Sequence, residues 1–125
     1  MNRSALAALA LPLLLTGCGG ASTSDVSTGC FTITQAVDTY NSNIDAVRAG
    51  TATDGDIVKA YGKIADKLSV AATLVPTGKL HDLASSASTA AGRVRVSVTG
   101  GQTDALDVRA VADALRAAQP LCAGK

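Results

Sequence analysis

The residues best equipped for chemistry in this 125-residue chain are three cysteines and one histidine. Cys18, Cys30 and Cys122 supply the only thiols, suited to covalent modification, to a disulfide or to soft-metal ligation. His81 is the only imidazole. All ten acidic residues are Asp, so the chain lacks the inward Glu and Glu-x-x-His sets with which helical bundles hold paired metals. No metal site and no cofactor is expected. Ser85, Ser86 and Ser88 lie near His81 and Asp82, but neither a Gly-x-Ser-x-Gly elbow nor a Ser-x-x-Lys pair selects a nucleophile. Asp38 and Asp45 are seven residues apart and share a helix face that reads as solvated. The chain is therefore read as not an enzyme. Two polar groupings remain as binding candidates. Lys59, Lys63 and Lys67 form an i, i+4 row whose like charges repel slightly, softened by Asp56 and Asp66 three residues from Lys59 and Lys63. It is either a contact strip for an anionic polymer or protein partner, or an ordinary solvated face. Asn41 and Asn43, beside Tyr40, are either a polar recognition patch or hydrated surface.

The bulk composition narrows the classes further. Eleven Lys and Arg against ten Asp give a net charge of +1, without the basic surface that nucleic-acid binding requires. Aromatic residues are 2% with no Trp, which leaves no platform for stacking bases. A hydrophobic content of 47% is enough for the packed core of one domain.

The N-terminus reads as an address. Arg3 is followed by an uncharged, Leu-rich stretch from Ser4 to Leu15. That is too short to span a bilayer, which takes about 20 apolar residues, and has the length of a signal-peptide core. Leu15-Thr16-Gly17-Cys18 closes it: aliphatic, small, small, Cys. This resembles the lipobox of bacterial lipoprotein precursors at all four positions. The resemblance implies a diacylglyceryl thioether on Cys18 and cleavage after Gly17. Residues 1–17 are then a signal peptide, and the mature chain is held on the extracytoplasmic face of the cell membrane, where two acyl chains anchor stably. Residues 18–29, rich in Gly, Ser and Thr, read as a flexible tether with a reach of about 18 Å.

From residue 30 to 125 the apolar spacing is helical, and four segments must position the candidate groups. Residues 32–49 carry the stripe Cys30, Ile33, Val37, Tyr40, Ile44, Val47, ended by Gly50. Residues 54–75 carry Ile57, Tyr61, Ile64, Leu68, Ala71, Val75, with Thr53 or Asp54 as N-cap and Pro76-Thr77-Gly78 as the following turn. Residues 79–99 carry Leu80, Leu83, Ala87, Ala91, Val94, Val98. In this segment the run Arg93 to Thr99 alternates as a strand would, but no second strand exists to pair with it, which favours helix. Residues 103–118 carry Val108, Val111, Leu115, Ala118, with Thr103 as cap and Pro120 as stop. Four such segments on short turns predict an all-α fold, a small antiparallel four-helix bundle.

Antiparallel order puts residues 30 and 122 at one end of the bundle, and both cysteines are in phase with their stripes. Outside the cytoplasm disulfides persist. A Cys30–Cys122 bridge is expected, two free buried thiols being the alternative. The functional expectation is a lipid-anchored envelope lipoprotein with a structural or protein-interaction role. The alternative is a module that binds a small ligand or an anionic polymer. A pocket lined by Tyr40 and Tyr61 would favour the alternative; a closed core with an exposed apolar strip would favour the first.

Overall fold

A computed structural model describes residues 23–102 and 105–123. The lipobox, Cys18, the first part of the tether and the expected cap Thr103 lie outside them. The described chain folds as four helices and no strand: α1 (Thr23–Arg48), α2 (Asp54–Leu74), α3 (Lys79–Thr99) and α4 (Ala105–Cys122). Each packs on the next in sequence, and α1 meets α4 along the least intimate of the four seams. The protein is an all-α four-helix bundle.

The core is thin and rich in alanine. Tyr61, Ile64 and Leu68 of α2 face Ile33 and Ala36 of α1 and Ala84, Ala87, Ala91 and Val94 of α3, with Val111 and Leu115 closing from α4. Small side chains let α2 and α3 approach closely enough for the Ser88 hydroxyl to donate across the seam to the Ala65 carbonyl at 2.8 Å. The alternating run 93–99 is helical. Val94 and Val98, four apart, point inward, while Val96 between them is 68% exposed. Alternation over so few residues fits either period, and here α2 and α4 supply the surfaces for a helical one.

The turns explain where the helices stop. α1 and α3 end in Schellman motifs. Gly50 and Gly101 take positive φ, and the bonds Thr51 N to Ala46 O and Gln102 N to Ser97 O recover orphan carbonyls. α2 begins with a capping box, in which the Thr53 hydroxyl accepts from Asp56 N–H and Asp56 accepts from Thr53 N–H.

Three expectations are corrected. Residues 23–29, read as tether, are the first turns of α1: Val26 packs on the core, and buried Gly29 lies so close to α2 that a Cβ there would meet Val75 Cγ2 at 2.8 Å. Composition signalled flexibility, but contact with α2 rewards helix. Val47, assigned to the α1 stripe, is 46% exposed. Val47 lies two heptads beyond Ile33, and a 3.5-residue stripe drifts about 20° per heptad on a straight helix. Finally, Pro120 does not stop α4, which runs on to Cys122. The carbonyl that loses its donor belongs to Arg116, an exposed residue where water can replace the bond.

Candidate functional site

Cys30 and Cys122 form a disulfide, Sγ–Sγ 2.07 Å and Cα–Cα 5.5 Å, across the α1–α4 seam. Cys30 is buried and Cys122 is half-buried. In the chain-entropy model, closing a loop of 92 residues stabilises the fold by about 4–5 kcal/mol. The bridge fastens the one seam where helix packing is slight.

His81 is not a bare surface group. Its Nδ1 lies 2.8 Å from the Ala72 carbonyl and 2.9 Å from the Val75 carbonyl. The cause is Pro76. In a continuing helix the Ala72 carbonyl would accept from residue 76, and proline has no N–H to give. Nδ1 therefore carries its proton and donates it to the end of α2. Ser88 is committed to Ala65, while Ser85 and Ser86 are exposed. Among the described residues no three His, Cys, Asp or Glu side chains gather as a metal set.

The lysine row divides. Lys59 and Lys63 line an open groove of about 570 Å³ between α1 and α2, whereas half-buried Lys67 does not reach it. Asp38, Asp56 and Thr51 line the same groove, and Asn43 contributes to its floor. Asn43 is only 8% exposed, and its amide has no hydrogen-bond partner among the described residues. Burial of this residue is the feature missed by the sequence reading that allowed it a hydrated surface. The signal was present in its position, since Asn43 follows Ile33, Ala36 and Tyr40 at helical steps. Its neighbour Asn41 is exposed and faces α4 instead, beside Gln119. The Asp56 carboxyl is held below the usual carboxylate range by its hydrogen bonds from Thr53, helped by nearby Lys59.

Arg93 and Arg95 do not extend this lysine pair. Arg93 reaches toward α4, where Asp107 lies at 3.8 Å, and the stem of Arg95 lies over Gly62 on the other side of α2. The two tyrosines do not share a pocket. Tyr61 is sealed in the core at 2% exposure, and burial, with the Tyr40 phenol nearby, pushes its hydroxyl up to about 12. Tyr40 is half-buried and lines a separate shallow groove between α1 and α4, with Val108 and Arg109.

No described helix is long and apolar enough to cross a membrane. Compared with family models, curated proteins and solved structures, the chain matches none.

Proposed function

We propose that this chain is a lipid-anchored lipoprotein of a bacterial envelope, held through Cys18 on the extracytoplasmic face, whose helical bundle is a non-enzymatic interaction module. The observation that carries the reading is the agreement of two separate features on one compartment. Leu15-Thr16-Gly17-Cys18 addresses the chain to the outer side of the membrane. The Cys30–Cys122 pair, at disulfide geometry, is a bond that such a compartment preserves. The non-catalytic part is supported by where the reactive side chains are spent: His81 caps α2 and Ser88 ties α3 to α2.

The test is processing of the full chain in a bacterial host. Intact mass and fatty-acid labelling should show a mature protein beginning at diacylglyceryl-Cys18 that sediments with membranes. A Cys18→Ala variant should lose the label and the membrane association together. If Cys18→Ala is still processed and membrane-held, the anchor reading falls. The alternative role, binding of a small polar ligand, is favoured by one observation, the buried and unpartnered amide of Asn43 in the α1–α2 groove.

A further inference from the structure

Burying an amide without a hydrogen-bond partner forfeits its bonds to water with nothing in return, so most buried polar side chains find one. Asn43 is 92% buried and finds none among the described residues. What exposure remains opens onto the α1–α2 groove, so its two N–H donors and its carbonyl are offered to whatever enters there.

Three of the four charges lining the groove lie in no salt bridge among the described residues. Neither Lys59 nor Lys63 makes an ion pair among the described residues, and nor does Asp38. Asp56 is occupied by the Thr53 N–H. The antiparallel register is fixed by Gly29 against Ala71 and Val75. Counting along both helices from that contact brings Asp38 level with Lys63, and Asn43 level with Lys59. Asp38 and Asn43 are five residues apart, or about 7.5 Å along the axis.

The groove thus offers Asp38 beside Lys63 at one level and Asn43 beside Lys59 at the next. Two lysines against two aspartates sum to no net charge, so a phosphate dianion gains little there. Neither tyrosine lines it, so a sugar ring has nothing to stack on. We propose that the α1–α2 groove binds a short zwitterionic peptide. The peptide's ammonium pairs with Asp38, and its terminal carboxylate accepts from the Asn43 amide and pairs with Lys59. The termini of an extended dipeptide are about 7 Å apart, comparable to the axial rise from Asp38 to Asn43. A groove of about 570 Å³ is of the size that holds small ligands. This deepens the ligand-binding alternative and does not depend on the lipid anchor.

The experiment is calorimetric titration of the purified full chain with L-alanyl-L-alanine, with amide NMR following the Asn43 side chain. Saturable binding and a shifted Asn43 amide are expected. The doubly blocked N-acetyl-alanyl-alanine amide and inorganic phosphate should each bind at least about tenfold more weakly. Lys59→Gln, at an exposed position, should weaken the dipeptide about tenfold or more while leaving the melting temperature in place. Asn43→Leu should also lose binding, yet melt no lower than the parent, because it removes an amide with no partner among the described residues. Absence of saturable binding at about 10 mM dipeptide overturns the proposal. So does equal affinity for the blocked dipeptide, tighter binding of phosphate, or undiminished binding by Asn43→Leu.

Discussion

Replacing His81 with Ala tests whether a side chain can substitute for a backbone donor that proline removed. The histidine Nδ1–H serves two carbonyls, at 2.8 Å on Ala72 and 2.9 Å on Val75. Without it the Ala72 carbonyl has no donor among the described residues, because residue 76 is Pro76. The site is half-buried, so water replaces the bond only in part. A net hydrogen bond contributes about 0.5–1.5 kcal/mol, and an acceptor left stranded under cover costs up to about 3 kcal/mol. Partial exposure places His81→Ala between these, at about 1–2 kcal/mol. For a domain of this size that corresponds to a fall in Tm of about 5–10 °C. The assay is thermal unfolding of the full chain followed by circular dichroism, with the disulfide kept oxidised. Pro76→Ala in the His81→Ala background should recover part of the loss, since residue 76 then regains an N–H. A His81→Ala protein that melts with the parent refutes the capping argument.

Tyr61 gives a signal at high pH. Its hydroxyl is pushed up to about 12 in the fold, above the unfolded value near 10, so the unfolded chain releases this proton first. Stability is fully present below pH 10 and should fall by up to about 1.4 kcal/mol per pH unit as pH rises toward 12, and Tyr61→Phe should abolish that slope in alkaline unfolding curves. Reduction of Cys30–Cys122 should lower the denaturant midpoint, with a loss of up to about 4–5 kcal/mol; an unchanged midpoint would mean the bridge constrains nothing. Two glycines should respond in opposite directions. Gly29→Leu drives a side chain into Val75 and should destabilise by about 1–3 kcal/mol, whereas Gly92→Ala, whose Cβ meets nothing within 4 Å, should stabilise by up to about 1 kcal/mol in the same melts.

The fold was legible where a residue's role depends on its own helix. The period of Ile57, Tyr61, Ile64 and Leu68, the left-handed glycine Gly50, and the Thr53 cap are local facts with local causes. Cys30 and Cys122 were legible because topology and phase both bear on them. What escaped the reading depends on a neighbouring helix. Nothing in the composition of residues 23–29 records that α2 lies alongside, yet Val75 against Gly29 is what makes that stretch part of the bundle. His81 is tied to Pro76 by a bond between adjacent helices, so sequence showed the lone imidazole without its task. The lysine row was visible as charges at helical spacing. Which of the three reach the groove is set by how α2 is turned toward α1, and that turn depends on the packing of Gly29, Ile33 and Ala36. Asn43 sits at the same juncture, polar by type and interior by position.

The disulfide also determines how the molecule carries tension. Its two cysteines are 92 positions apart along the chain and 5.5 Å apart in space. A force drawing the two ends of the chain apart enters at Cys30 and leaves at Cys122 through a single covalent bond. The intervening polypeptide would otherwise pay out to roughly 300 Å, at about 3.3 Å per residue. With the bond intact it forms a side loop off the loaded path. All three turns and the α1–α2 groove lie within that loop, so they stay mechanically slack while the termini are strained.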